Sequence, residues 1–184
     1  WVSDIMQNGA KGYLDQGQPR LYSVSGRVSN PGVVRAPSGT TARQLIEDHC
    51  GGMADGEIFT AYLPGGASGG ILPAALADVP LDFGTLDEYG CFVGSAAVVV
   101  FSDKDDMRGV AKNLVSFFED ESCGQCTPCR IGCEKLLTMM ADEEWDADLM
   151  RDLAETMRDA SICGLGQAAP NPVLSTLKFF EENN

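Results

Sequence analysis

Histidine and positive charge are scarce in this chain. Its 184 residues include one histidine, and 13 lysine and arginine residues stand against 27 aspartate and glutamate residues, which gives a formal net charge of −14. Because such an excess of negative charge repels phosphate-rich surfaces, we expect no nucleic-acid partner and no binding to anionic membranes. Without a second histidine or a serine–histidine–aspartate set, the sequence offers no hydrolytic site, and we assign no catalytic residue.

Long apolar runs and a secretion signal are also missing. The longest wholly apolar run, Ala96 to Phe101, is far shorter than the roughly 20 residues that a membrane span needs. No basic segment followed by an apolar one marks a signal peptide. The seven cysteines are clustered rather than dispersed in pairs, which predicts a reducing, cytoplasmic environment. The chain begins with Trp1 instead of methionine, so we expect a fragment whose upstream part is missing.

Residues 21–103 contain segments rich in strand-forming residues and the turn signals of a small α+β unit. The predicted strands are Leu21–Val28, Val33–Ala36, Ile58–Leu63 and Ala96–Phe101. The turn at Asn30-Pro31-Gly32 joins the first two strands as a hairpin, and a short helix follows, capped by Thr40 or Thr41. A hairpin, a crossing helix and further strands predict a β-grasp-like domain. Residues 1–20 are interpreted as a linker or as the remnant of an upstream domain.

From Asp105 onward apolar residues recur every three or four positions, which predicts amphipathic helices. The stripes are Met107, Val110, Ala111, Leu114, Phe117 and Phe118, then Leu136, Leu137 and Met140, then Leu149, Leu153 and Met157, and finally Leu174, Leu177 and Phe180. In the last helix Asn171 is the expected cap, with Pro172 at the first helical position. Residues 104–184 are therefore predicted to form a bundle of about four helices, with a domain boundary near residue 103.

The segment ESCGQCTPCR contains three cysteines at intervals of three residues. These are Cys123, Cys126 and Cys129, and Cys163 follows at a distance in SICGLG. Each two-residue interval can curl back toward a common centre, because Gly124 can adopt a positive φ and Pro128 stiffens the second interval. Three thiolates from one curl and a fourth from a remote loop are typical of a 4Fe-4S cluster.

Other uses of these cysteines fit the spacing less well. A structural zinc site usually draws on two separated C-x-x-C pairs. The plant-type 2Fe-2S spacing has a longer first interval. Disulfides or core thiols explain neither the triple spacing nor the intervening glycine and proline.

The fourth ligand has two candidates. Cys133 stands four residues after Cys129, as in bacterial ferredoxins, but it would lie within a helix. Cys163 is favoured because Gly164 and Gly166 make its loop pliable, and Cys133 is then a half-buried thiol near the cluster. The residues alone leave both candidates open.

Other signals are weaker. Arg130 either adds a cation near the cluster or pairs with a surface carboxylate. His49 is interpreted as a solvated or capping residue, and Cys50 and Cys91 as small apolar filling. The glycine-rich loop 65–70 matches no phosphate-binding motif and is interpreted as a flexible connection between strands.

At ESCGQCTPCRIGCEKLL and SICGLGQ the chain resembles the C-terminal portion of the family of flavin- and NADH-binding subunits shared by complex I, NAD-reducing hydrogenases and NAD-linked molybdenum formate dehydrogenases. The upstream GRVSNPGVV, the GTT-initiated helix and the PGGASGGILPA loop resemble that family's soluble ligand-binding, β-grasp-like domain. The resemblance covers about residues 21–184. It implies a 4Fe-4S cluster on Cys123, Cys126, Cys129 and Cys163, which decides against Cys133.

The resemblance further implies a place in an NAD-dependent oxidoreductase. FMN and NAD would bind an upstream domain absent from this sequence, and only Gly164 and Leu165 would approach the flavin edge. CRIGCEK and GGASGGILPAALADVPLDFGTL look closer to the formate dehydrogenase β subunit, whereas complex I members read CREG and have a longer stretch before the fourth cysteine. The implied partners are a 2Fe-2S subunit and a molybdenum and iron–sulfur catalytic subunit. The rival hypothesis is a non-catalytic interaction module stabilised by zinc.

Overall fold

A computed structural model describes residues 2–181, so Trp1 and residues 182–184 lie outside the described chain. The helices are α1 (Val2–Asp15), α2 (Ala42–Gln44, continued by a wide turn over Leu45–His49), α3 (Met107–Asp120), α4 (Thr127–Met139), α5 (Ala147–Ala160), α6 (Gly164–Ala168) and α7 (Asn171–Thr176, continued over Leu177–Glu181). The strands are β1 (Arg20–Gly26), β2 (Gly32–Ala36), β3 (Phe59–Leu63), β4 (Leu72–Pro73) and β5 (Ala97–Ser102). Within residues 2–181 no helix combines the length and the apolar character needed to cross a bilayer.

The five strands form one mixed sheet in the order β2-β1-β5-β3-β4. β1 and β2 form the predicted antiparallel hairpin, in which Arg20 lies opposite Ala36. β1 and β5 are parallel neighbours at the centre of the sheet, and β3 pairs antiparallel with both β5 and β4. All four predicted strands are present, and only the two-residue β4 was not expected. The expected cap Thr41 begins α2, with a reciprocal hydrogen bond to Gln44.

Both faces of the sheet are buried, each against a different set of helices. Along β5, Val98 and Val100 point into one core, which contains Leu45 and Ile46 of α2. Val99 and Phe101 face the opposite core, which is built mostly from the C-terminal helices. Successive side chains of a strand point to opposite faces, so a single strand supplies both cores. The helices that carry the cysteine motif are therefore packed directly on the sheet.

The C-terminal helices follow the predicted stripes, except that Phe117 and Leu149, which the stripes place on the apolar faces, are exposed. Asp106 caps α3 by accepting hydrogen bonds from two backbone amides, and Asp146 caps α5. Gly132 of α4 lies so close to α5 that an added Cβ would come within 2.6 Å of the Met157 side chain. The short helix α6 was not predicted, because five residues carry no periodic apolar stripe.

The glycine-rich loop 65–70 connects β3 to β4 but is packed against α7, and none of its residues is exposed. The Asn171 side chain donates to the Ser68 carbonyl at 2.9 Å, and the Ile71 backbone N–H donates to Ser175 Oγ at 2.9 Å. Asn171 was expected to cap α7. Its side chain makes no capping hydrogen bond, because the helix begins at Asn171 itself and the amide group contacts the loop instead.

Candidate metal centre

The first three cysteines lie around the start of α4. Cys123 is in the turn after α3, Cys126 is the cap residue of α4, and Cys129 lies in its first turn. Gly124, between the first two, has φ of 76°, the left-handed conformation that its position in the motif predicts. Pro128 occupies the first turn of the helix, where a missing N–H costs nothing.

Cys163 lies near the same three cysteines but belongs to a different segment of the chain. It caps α6 and ends the short loop that follows α5. All four cysteines line one cavity of about 400 Å³. The other lining residues are Glu121, Ser122, Gln125, Ile162 and Leu165. The fold thus brings together cysteine side chains from two separate segments of the sequence.

The cavity is closed at its base and open at its mouth. Cys129 is buried and Cys126 is half-buried, whereas Cys123 and Cys163 are exposed. Ile162, beside Cys163, is 77% exposed and adds an apolar rim. A group held here would be anchored inside the bundle and would present one side to the surroundings.

The shape of the cavity suits a cluster better than a single ion. Within the described residues no set of three or more histidine, cysteine, aspartate or glutamate side chains is arranged to hold one metal ion. Four thiolates around zinc each lie about 2.3 Å from one centre, whereas the four cysteines here line a cavity of about 400 Å³ together with five other residues. A 4Fe-4S cube, with a thiolate at each of four corners, needs more space than one ion.

Hydrogen bonds at the cavity favour the thiolate form of the ligands. The backbone N–H groups of Ile162 and Cys129 donate toward the Cys126 sulfur and lower the pKa of that thiol. A donor to a charged sulfur stabilises the charge, and thiolates are the form that binds iron. Ser122 Oγ lies 3.3 Å from Cys129 Sγ and accepts the Gly124 N–H at 3.3 Å.

The remaining cysteines are apolar in character. Cys133 is fully buried in the core behind the cavity and does not line it. Burial, with Cys129 beside it, raises the pKa of Cys133 to about 12. It was expected to be half-buried. Its complete burial follows from its place on the inner face of α4. Cys50 and Cys91 are buried as expected, and burial raises the pKa of Cys91 to about 12.

Arg130 donates from its guanidinium to the Gly124 carbonyl and so closes the ligand loop on itself. This contact places its positive charge beside the cysteine motif, and its expected role as a cation near the cluster stays a prediction. His49 is exposed at the end of the α2 segment, in agreement with a solvated residue.

Two important residues of the centre were missed or misread from the sequence. Gly166 was expected to make a pliable loop, but it lies in α6, where an added Cβ would come within 2.7 Å of Cys129 Cβ and 2.5 Å of Ser161 Oγ. Ser161 is 5% exposed, and its hydroxyl has no hydrogen-bond partner within the described chain. That hydroxyl is nevertheless near enough to Cys126 to help lower the pKa of its thiol. Only their closeness to Cys163 in the sequence could have suggested either residue.

Gly164 and Leu165, the residues expected at a flavin edge, lie at two different cavities. Leu165 lines the cysteine cavity. Gly164 is exposed and lies at a second, wider cavity of about 610 Å³ between the turn at residues 87–92 and helices α5 to α7. Their expected role stays a prediction.

Two family models match the chain. Residues 109–184 match the NADH-ubiquinone oxidoreductase-F iron-sulfur binding region. Residues 21–72 match the SLBB domain. The first region contains all four cysteines of the cavity, and the second covers β1 to the start of β4.

Relatives of known identity match almost the whole chain. NADP-reducing hydrogenase subunit HndC of Solidesulfovibrio fructosivorans is 37% identical, over 98% of this chain and 37% of its own length. A subunit of the NADH-quinone oxidoreductase of Escherichia coli strain K12 is 35% identical, over 98% of this chain and 43% of its own. The crystal structure of an NAD+-reducing NiFe hydrogenase in the air-oxidized state superposes with a TM-score of 0.85 at 30% identity, over 98% of this chain and 32% of that one. The chain thus spans less than half the length of these relatives.

Proposed function

We propose that this chain, which belongs to the family of flavin- and NADH-binding subunits of complex I and NAD-reducing hydrogenases, relays single electrons through a 4Fe-4S cluster. The ligands are Cys123, Cys126, Cys129 and Cys163. The observation that carries the proposal is the single cavity of about 400 Å³ that these four side chains line. FMN and NAD are expected in the upstream part of the full-length protein.

The residues of the chain would bind the cluster, orient it and shield most of it. A bound cluster of this kind takes up and releases one electron at a time. The backbone amides that donate to Cys126 offset negative charge on that ligand. Burial of Cys129 excludes water from the base of the cavity, and the exposed Cys123 and Cys163 leave one side accessible to a redox partner. The cluster supplies the chemistry, and the protein fixes its place and its surroundings.

The domain division is part of the same proposal. We assign residues 21–103 to a β-grasp-like domain, residues 104–184 to the helical domain of the cluster, and residues 1–20 to the remnant of the upstream flavin and NAD domain. The sheet order, with parallel β1 and β5 at its centre, supports the first assignment. Because the sheet also supplies apolar residues to the helical core, the two domains share an extensive interface.

A finer proposal concerns the enzyme in which this subunit works. The CRIGCEK and GGASGGILPAALADVPLDFGTL segments favour an NAD-linked, molybdenum-dependent formate dehydrogenase of the cytoplasm, with a 2Fe-2S subunit and a molybdenum and iron–sulfur subunit as partners. In that enzyme electrons would arrive from formate and leave to NAD+. The alternatives are an NAD-reducing hydrogenase and complex I.

Metal analysis tests the electron-relay proposal. Protein purified without oxygen is expected to contain about four iron atoms and four sulfides for each chain, a brown colour, and an EPR signal that develops on one-electron reduction. The signal should be absent from apoprotein prepared by acid treatment. Stoichiometric zinc without iron would contradict the proposal and support a zinc-stabilised interaction module.

The finer proposal predicts a particular metal in the purified complex. Affinity purification of the full-length protein from its native host is expected to yield molybdenum together with formate-dependent NAD+ reduction. The same preparation from cells grown with tungstate in place of molybdate should lose that activity and keep the iron content of this subunit. Nickel with hydrogen-dependent NAD+ reduction, or co-purification with quinone reductase activity, would overturn the formate dehydrogenase assignment.

A further inference from the structure

Two serine hydroxyls lie close to the ligand cysteines, and they come from different segments of the chain. Ser122 immediately precedes the first cysteine, and Ser161 precedes Cys163 by two residues. Neither side chain is needed to hold iron, since four thiolates complete the coordination of a cluster. Their positions therefore call for another explanation.

Ser122 is placed to donate to Cys129. Its Oγ accepts the Gly124 N–H at 3.3 Å, which leaves the hydroxyl proton for a second partner. The Cys129 sulfur lies 3.3 Å from the same oxygen. A thiolate carries no proton, so in a bound cluster the hydroxyl is the donor of this pair.

Ser161 is held in place beside the centre by hydrogen bonds of its backbone. Its backbone N–H donates to the Met157 carbonyl at 3.1 Å, and its own carbonyl accepts from the Gln167 side chain at 3.1 Å. The hydroxyl is buried and has no hydrogen-bond partner in the described chain. A buried hydroxyl without a partner is costly. Ser161 Oγ and Cys129 Cβ lie 2.5 Å and 2.7 Å from one point, the position of an added Cβ at Gly166, so the hydroxyl lies beside the ligand turn of α4, where iron binding creates thiolate acceptors.

We propose that the hydroxyls of Ser122 and Ser161 donate hydrogen bonds to cysteine sulfurs of the cluster and so raise its reduction potential. This inference rests on the electron-relay function proposed above. Reduction adds negative charge to the cluster and its ligands, and hydrogen bonds to a more negative acceptor are stronger. Each hydroxyl therefore stabilises the reduced state more than the oxidised state, and hydrogen bonds to sulfur are among the factors that set cluster potentials.

Potentiometric titration of the full-length protein, followed by EPR, tests the inference. We expect Ser122→Ala and Ser161→Ala each to lower the equilibrium constant for reduction of the cluster roughly threefold to tenfold. A tenfold change is about 59 mV for one electron. The hydroxyls lie on different segments of the chain, so the double variant should show about the sum of the two shifts. Iron content for each chain is measured in parallel.

Two matched controls separate tuning from a general effect of hydroxyl loss. Thr156→Ala removes an exposed hydroxyl from α5, the helix that leads to Ser161, and it should leave the potential unchanged. Ser122→Thr retains the donor and should keep the potential of the unmodified protein.

The outcomes distinguish this inference from the function on which it rests. If both alanine variants keep their iron and titrate at the original potential, the tuning role is refuted while the electron relay stands. If the unmodified protein holds no iron, the relay itself fails. If Ser161→Ala loses its cluster, the half-buried Ser122 still decides the question, because a full cluster with an unshifted potential in Ser122→Ala refutes the proposal.

Discussion

Replacing Cys163 with serine is expected to abolish the 4Fe-4S cluster and to destabilise the helical part of the chain. Cys163 is the only one of the four proposed ligands that lies outside the segment 123–129, so it is the link between the α6 loop and the start of α4. When ligands come from separate segments, the free energy of metal binding contributes directly to folding. We expect iron content to fall to the background level and the free energy of unfolding to drop by on the order of 4 kcal/mol.

Cys133→Ser is the matched control, because it makes the same atomic change four residues after a proposed ligand. Cys133 is fully buried and does not line the cavity. A serine hydroxyl there would lack a partner and cost about 1–3 kcal/mol, but iron, sulfide and the EPR signal should remain. Urea unfolding and iron analysis of both variants give the comparison. Loss of the cluster in Cys133→Ser together with its retention in Cys163→Ser would show that the ligand assignment is wrong.

Much of the fold follows from local patterns in the sequence. The apolar run Ala96 to Phe101 between polar and glycine residues predicts β5, and the stripe from Met107 to Phe118 predicts α3, because each extends over enough residues to be recognised. Two elements were not predicted: β4 has two residues and α6 has five. No periodicity can be read over such lengths, and both elements form because neighbouring parts of the chain pack against them.

Two further predictions were wrong at places where residues far apart in the sequence contact each other. The loop 65–70 has the composition of a flexible connection, but Ser68 contacts Asn171 and Ile71 contacts Ser175, each more than 100 residues away in sequence. The contact with Ser68 also takes Asn171 from its expected capping role. Contacts at this separation leave no mark in the composition of either segment, so the elements are easier to predict from a sequence than the way they dock.

The candidate metal centre could likewise be predicted only in part. The first three cysteines could be predicted because the chemistry of a cluster imposes their identity and spacing, whereas the choice of Cys163 over Cys133 depended on the resemblance. Their surroundings could not, since the burial of Ser161 and the close approach of Gly166 depend on how α6 meets α4. Cysteine spacing thus indicates candidate ligands of a cluster, while the groups proposed to adjust its properties emerge only from tertiary packing.

Gly166→Ala is expected to have the second largest effect, since it tests that packing directly. The added Cβ would lie 2.5 Å from Ser161 Oγ, 2.8 Å from Ser161 Cβ and 2.7 Å from Cys129 Cβ. These contacts are shorter than carbon and oxygen atoms tolerate, and the two Cβ atoms cannot move aside because they are bonded directly to the backbone. The α6 segment must move outward, and Cys163 moves with it. We expect a loss of about 1–3 kcal/mol of stability and a reduced iron content.

Gly164→Ala is the control for this prediction, because it makes the same change two residues earlier in the same helix. No atom lies within 4 Å of the position that its Cβ would occupy. Alanine favours a helix over glycine by about 1 kcal/mol, so this variant should be as stable as the unmodified protein or slightly more stable, with full iron content. Because both variants replace a glycine with alanine, a difference in stability or iron content between them reports on the close contact of α6 with Cys129. Equal stability and equal iron in the two variants would show that this approach does not hold the cluster loop in place.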